Sequence, residues 1–304
     1  MFIGDLRRPG FGASLSPRVI TVVVTSSSRH VPVRKNRKNQ DGVVRGTADP
    51  TARSINRSFQ ERLMPQNMID VAPEVLDDLV AANRILADQG ILDAFGHVSV
   101  RHPNNPEHYL MSRWLAPALV TAEDIAEYDL ESVALTHAGM QLYSERYIHS
   151  EIYKVRPDVH AIVHSHSPTV VPFGVTHATF RPILHNAAFL GDFVPVFDIR
   201  EKFGPTDMLV NRKERGTELA RVLAKHTTAL MRGHGDVVVG SNIQSVVWRA
   251  YYTEINARML AQAIAIGGGP IMYLSPEEAV LTDASMQRVE ARPWKLWKQK
   301  ALGR

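Results

Sequence analysis

His164 and His166 stand two apart at the end of an apolar run, and His234 stands between Gly233 and Gly235. Imidazole nitrogen is a ligand for borderline divalent cations such as zinc and manganese, and a catalytic centre commonly offers three protein ligands plus an open position. Val159-His160-Ala161-Ile162-Val163 reads as a buried strand. On a strand residues i and i+2 share a face, so His164 and His166 present two imidazoles side by side. Thr228-Ala229-Leu230-Met231 is a second short apolar run, and the glycines around His234 allow a tight backbone at its exit. With 13 histidines in the chain, some pairs fall two apart by chance. Both apolar runs nevertheless lead directly into these histidines, and ligand sites concentrate at strand ends and in the loops just beyond them.

The elements that must position these groups follow from hydrophobic period and turn chemistry. Residues 72–87 have apolar residues at helical spacing and stop at Gly90, which predicts an amphipathic helix. Residues 96–101 alternate with period 2, and after the turn-rich Pro103-Asn104-Asn105-Pro106 the chain returns over 109–112, which predicts a hairpin. A short helix is expected near 122–126 and a longer one over 144–155, closed by Arg156-Pro157-Asp158 before the first histidine strand. Further strands are expected at 181–184 and 194–197, with helices at 215–224 and at 245–265, the last stopping at Gly267-Gly268-Gly269. Helices alternating with hairpins predict an α/β fold, a three-layer α/β/α single domain with a mixed, largely antiparallel central sheet.

Composition narrows the class. At 304 residues, 44% hydrophobic and 22% charged, the chain can bury a sizeable core, and no apolar run reaches the roughly 18–20 residues that span a bilayer. It has no cysteine, so there is no disulfide framework, and Cys-ligated zinc is removed from consideration; a cytoplasmic setting is the expectation. The charge is uneven. Residues 1–64 hold 12 basic and 4 acidic residues, a net +8, and the remainder carries −4. Residues 1–64 therefore read as a disordered basic extension. It is open to three readings: a nucleic-acid or membrane-surface arm, a transit segment, or sequence upstream of a true start at Met64 or Met68, of which the last is favoured. No aromatic residue interleaves the charges of the central run Arg34-Lys35-Asn36-Arg37-Lys38, so neither nucleic acid nor a membrane is expected as a partner. The catalytic domain is expected over 65–270, with 271–304 as a C-terminal tail.

Four runs occur in one order: Gly96-His97-Val98-Ser99-Val100-Arg101, Ser150-Glu151 ahead of Arg156-Pro157-Asp158, Ala161-Ile162-Val163-His164-Ser165-His166, and Gly233-His234-Gly235. In that order and spacing the chain resembles the class II aldolase/adducin family over residues 70–265. Met111-Ser112-Arg113, Tyr143-Ser144-Glu145-Arg146 and the stretch 185–200 resemble its 3-hydroxy-2-methylpyridine-4,5-dicarboxylate 4-decarboxylase-like branch. The resemblance implies a divalent metal ion, manganese or zinc, one per subunit, on His164, His166, His234 and Glu151. It also implies a homotetramer with active sites between subunits, and a small-molecule substrate contacted by Ser112, Arg113, Ser150 and Tyr252.

The chain departs from the sugar-phosphate aldolase pattern at His97, where asparagine is usual, and at Met111-Ser112-Arg113-Trp114, where a phosphate-binding turn is usual. A planar Arg113 fork suits a carboxylate and Trp114 suits an aromatic ring, so a hydroxylated aromatic or heteroaromatic acid is the expected substrate class. Its decarboxylation would be completed by Glu151 or His97 protonating the ring carbon. Aldol cleavage, with Tyr251 or Tyr252 as the proton donor, uses the same ligands and remains the alternative. A non-catalytic adducin-like scaffold and a metallohydrolase fit the residues less well, since the three histidines are all kept and no hydrolase-type helix motif is present.

Overall fold

The structure, a computed structural model, describes residues 69–303. The expectations for residues 1–64, including those about Met64, lie outside the described residues. Helix α1 (Pro73–Asp88) starts with proline in its first turn, where a missing N–H costs nothing, and its end is followed by Gly90 at φ +70°. Its apolar stripe, including Leu79, Ile85 and Leu86, packs on the sheet.

That sheet has seven strands in the order β3 (Ile125–Asp129), β2 (His108–Ser112), β1 (His97–Arg101), β4 (Ala161–Ser165), β7 (Gly235–Gly240), β6 (Thr228–Met231) and β5 (Val196–Phe197). The predicted hairpin is β1 (His97–Arg101) with β2 (His108–Ser112), antiparallel with Ser99 opposite Met111. β4 (Ala161–Ser165) lies between β1 and β7 (Gly235–Gly240), antiparallel to both. β6 (Thr228–Met231) pairs antiparallel with β7, and only the two-residue β5 (Val196–Phe197) joins its neighbour in parallel. The largely antiparallel mixed sheet is thus as the sequence predicts.

Helices cover both faces. α1, α5 (Ile243–Ile266) and α7 (Ala291–Leu302) enclose one core with Val98, Leu110, Val163 and Val238. α2 (Arg146–Val155) and α4 (Lys213–Leu223) enclose the other with Tyr109, Met111, Ile162 and Val237. Strand alternation divides β4 between the two cores: Ala161 and Val163 face the first, Ile162 the second.

Several elements differ from expectation. Residues 122–124 form only a 3-10 turn, closed by a capping box between Thr121 and Asp124, and the chain continues as β3 (Ile125–Asp129) against β2. No strand forms at 181–184. Pro182 has no N–H to give a ladder, the Ile183 N–H donates to the Asn256 side chain at 2.9 Å, and the Pro182 carbonyl accepts from Leu274 N–H at 3.0 Å. Residues 271–303 are not a tail. They contain α6 (Pro276–Met286), opened by a Ser275/Glu278 capping box, and α7, whose Trp294 enters the first core while Lys298 pairs with Asp78 of α1. A further short helix, α3 (Arg200–Phe203), follows β5.

Gly235 is where the two histidine segments meet. A Cβ there would collide with the Ser165 carbonyl oxygen and sit 3.2 Å from the His166 ring. A Gly235→Ala variant is therefore expected to lose about 3 kcal/mol of unfolding free energy, because the obstruction is backbone and cannot rotate away. Urea unfolding of the variant beside the parent checks this.

Candidate metal centre

β4 ends in the His164-Ser165 pair and the chain turns out of the sheet at His166, while His234 precedes β7 in a turn made by Gly233 at φ +63°. β4 and β7 are neighbours, with Ser165 opposite Asp236, so all three imidazoles arrive at one sheet end. Their ring centroids are 5.0 Å (His164–His166), 5.0 Å (His164–His234) and 5.1 Å (His166–His234) apart. The fourth member is Glu145, one residue before α2. Ligand atoms from Glu145, His164, His166 and His234 all lie within 4.8 Å of one another. Glu145 and His164 are buried and form the floor; the half-buried His166 and His234 form a rim open to solution.

Each imidazole is oriented through Nδ1. That atom of His164 meets the Asp236 carbonyl at 3.0 Å, that of His166 meets Asp93 Oδ2 at 3.0 Å, and that of His234 meets the Met208 carbonyl at 3.1 Å. Carbonyl and carboxylate oxygens only accept, so Nδ1 carries a hydrogen in all three rings, and in the neutral form of each ring Nε2 is the lone pair. His164 Nε2 and His166 Nε2 are buried without a hydrogen-bond partner. Orphaned lone pairs beside a carboxylate are costly by themselves and are the donor set of a zinc or manganese ion. The residues therefore fit a divalent cation.

The loop between α3 and α4 orients two of the four groups. Met208 sits at φ +66°, a conformation strained for a side-chain-bearing residue, and turns its carbonyl onto His234; two residues on, the Val210 N–H donates to Glu145 Oε1 at 2.7 Å. Arg215 holds this loop through Asp207, the Leu209 carbonyl and Asn211.

Electrostatics match the geometry. Burial pushes the Glu145 carboxyl up, but its hydrogen bond to His234, the charge of His234 and the Val210 N–H prevail and hold it at about 2. Burial pulls His164 down to about 3, which keeps it neutral and available as a ligand. For His234 burial acts downward, and the Glu145 hydrogen bond and charge outweigh it, so its pKa is raised above 6.5. A cation must displace that proton. Metal uptake is expected to release a proton and to tighten as pH rises above the ordinary histidine range, because only deprotonated His234 can ligate. Calorimetric titration with zinc in buffers of different ionisation enthalpy reads the proton count.

The expected residues are only partly brought together. His164, His166 and His234 converge. Glu151 does not join them: it lies six residues along α2 from Glu145, about 240° around the helix, and faces α4. There its carboxylate accepts from Lys154 Nζ at 2.7 Å and Thr217 Oγ1 at 2.8 Å. Ser150 is fully buried and its hydroxyl accepts from Ser132 at 2.7 Å, which leaves it inaccessible to a substrate in this chain. Ser112 is buried at the end of β2, and Arg113 next to it pairs with Asp124 at 2.7 Å. Tyr252 is half-buried on α5 against Trp248 and Tyr251 and is not part of the cluster. His97 does adjoin it, opposite His164 on β1 with ring centroids 5.1 Å apart. Glu145 stands in the Tyr143-Ser144-Glu145-Arg146 run that already carried the family likeness, so its signal was present. Asp93, the Met208 carbonyl and His149 carry none that spacing reveals.

The family described as Class II Aldolase and Adducin N-terminal domain matches residues 77–261. Decarboxylase tropJ of Talaromyces stipitatus is 38% identical over 240 residues, which are 72% of this chain and 90% of that one. The 3,4-dihydroxyphthalate decarboxylase of Arthrobacter keyseri is 27% identical over 205 residues, covering 62% and 79%. Among solved structures, an aldolase II superfamily protein from Pseudomonas syringae superposes with a TM-score of 0.64 at 20% identity, covering 80% of this chain and 96% of that one, a likeness of fold.

Proposed function

We propose a function on one premise: the chain belongs to the class II aldolase and adducin family. The function is metal-dependent decarboxylation of a hydroxylated aromatic carboxylate. The observation that carries it is the convergence of Glu145 and three imidazole Nε2 atoms at the open end of the sheet. The substrate class is supported by the relatives, two of which are named decarboxylases, one of them for a dihydroxyphthalate. The dihydroxyphthalate relative favours a benzenoid acid within the aromatic or heteroaromatic class expected from the sequence.

A bound divalent ion, held by His164, His166, His234 and Glu145, would serve as a Lewis acid that draws electron density from the ring through adjacent substrate oxygens. The chain's own residues do the rest. Asp93, Met208 and Asp236 keep the three imidazoles aimed at one point. Buried Tyr143 and His97, with ring centroids 4.6 Å apart, form an aromatic wall that limits water at the floor. Arg113 and the exposed Trp114 offer a guanidinium and a ring surface to an aromatic acid. The carbon–carboxyl bond breaks, its electron pair stays on the ring carbon, carbon dioxide leaves, and one proton completes the product, supplied from the His97 side of the site.

Assembly into a homotetramer is part of the proposal. Ile266, Met272, Val280 and Leu281, on and between α5 and α6, are exposed large apolar side chains that a neighbouring subunit would cover. Tyr252, outside the cluster of its own chain, then acts across that contact. Light scattering gives the oligomeric state.

The functional test is carbon dioxide release from ortho-hydroxy aromatic carboxylates, with and without added manganese. Metal-dependent release is the expected result. Stoichiometric metal without release from any of them moves the assignment to aldol cleavage.

A further inference from the structure

We infer that a buried chain of Tyr153, Ser99 and His149 fixes the tautomer of His97, so that His97 presents an Nε2–H donor to a substrate oxygen. His97 and Ser99 are i and i+2 on β1 and share a face. His149 and Tyr153 are i and i+4 on α2 and share a helix face. The two faces meet in one line of hydrogen bonds. Tyr153 OH lies 2.8 Å from Ser99 Oγ, Ser99 Oγ lies 2.7 Å from His149 Nδ1, and His149 Nε2 lies 2.6 Å from His97 Nδ1. All four side chains are buried.

The direction of this line is decided at its closed end. Among the described residues, Ser99 Oγ is the sole hydrogen-bond partner of the Tyr153 hydroxyl. If Tyr153 donates to Ser99, the Ser99 hydrogen is free to donate to His149 Nδ1. That nitrogen is then an acceptor, so neutral His149 carries its hydrogen on Nε2 and donates it to His97 Nδ1. His97 in turn keeps its own hydrogen on Nε2, at the ring edge away from His149. The opposite direction would require Ser99 to donate to Tyr153, leaving the phenolic hydrogen buried with no acceptor, which is the costlier arrangement. Burial of both rings favours the neutral forms that this reasoning uses.

The consequence is chemical. Beside three imidazoles whose Nε2 atoms are lone pairs for a cation, a fourth imidazole shows the opposite polarity, a hydrogen to give. It suits the oxygen of a carboxylate or phenol and disfavours a cationic or N–H donor group at the same place. His97 is then the group that touches substrate, and His149, Ser99 and Tyr153 are positioning residues. The identity of the acceptor oxygen rests on the decarboxylase reading; the tautomer does not.

Neutron diffraction from crystals of the full chain grown in heavy water locates the hydrogens directly. Deuterium on Nε2 of both His97 and His149 is expected, and deuterium on Nδ1 of His97 overturns the inference whatever the substrate proves to be. Kinetics supply the second reading. Tyr153→Phe should lower kcat about tenfold with KM and bound metal unchanged, since the line loses the donor that sets its direction. In a His97→Asn background, where the amide supplies an N–H donor that needs no such line, adding Tyr153→Phe should leave kcat unchanged. An equal loss in both backgrounds marks Tyr153 as merely structural and overturns the inference; a carbon dioxide assay that fails with every substrate, beside the expected neutron result, overturns only the decarboxylase reading.

Discussion

A His164→Ala variant is expected to purify without stoichiometric divalent metal and to lose turnover together with it. His164 is the deepest of the four groups, fully buried at the end of the central strand, and its Nε2 has no hydrogen-bond partner among the described residues. Replacing outer partners of metal ligands typically weakens metal affinity by about 10–100-fold, so removing an inner ligand should exceed roughly 100-fold. The fold should survive, because Ala161, Ile162 and Val163 keep the strand in both cores. Elemental analysis, circular dichroism and an activity assay on one preparation check all three statements. Full activity in a folded, metal-free variant would falsify the assignment of the centre.

The second large effect separates two glutamates. Glu145→Gln keeps an oxygen for the Val210 N–H but removes the charge that faces His164 and His234 at 3.7 and 3.5 Å. Metal affinity should fall at least about tenfold and turnover with it. Glu151→Gln should keep metal and turnover near parental levels. Its cost is structural: the charge-assisted bond to Lys154 weakens, and unfolding free energy drops by about 1 kcal/mol. Metal content and urea unfolding, measured on both variants, give opposite patterns. Loss of metal in the Glu151 variant with metal retained in the Glu145 variant would reverse the assignment.

The contrast between these glutamates marks how far a sequence can be read. His164, His166 and His234 were legible because their geometry is local: a strand fixes the first pair, and flanking glycines mark the third. Choosing the carboxylate required the phase of α2 relative to the sheet, which is set by packing of Ile148 and Ile152 into the second core. Hydrophobic period shows that a helix exists and leaves its ends open by a residue or two, and Glu145 stands at such an end. β3 was hidden because Ala122-Glu123-Asp124 looks helical and the capping box that stops it is a tertiary fact as much as a local one. β7, Gly235–Gly240, was hidden between glycines that read as turn. The orienting atoms were the least legible of all, since two of the three partners of the imidazole Nδ1 atoms are backbone carbonyls, which any residue type could supply.

The position of β4 in the sheet also says when the site can exist. Of its two neighbours, β1 is made before it and β7 after it, and the bond from Ser165 to Asp236 spans 71 residues. A chain emerging from the ribosome can form the β2-β1-β4 half and still hold only Glu145, His164 and His166. The third imidazole arrives with β7, a contact of high sequence separation and hence among the slower to close. The centre is therefore a late product of folding, and ion capture there would mark the moment at which the two halves of the sheet have joined.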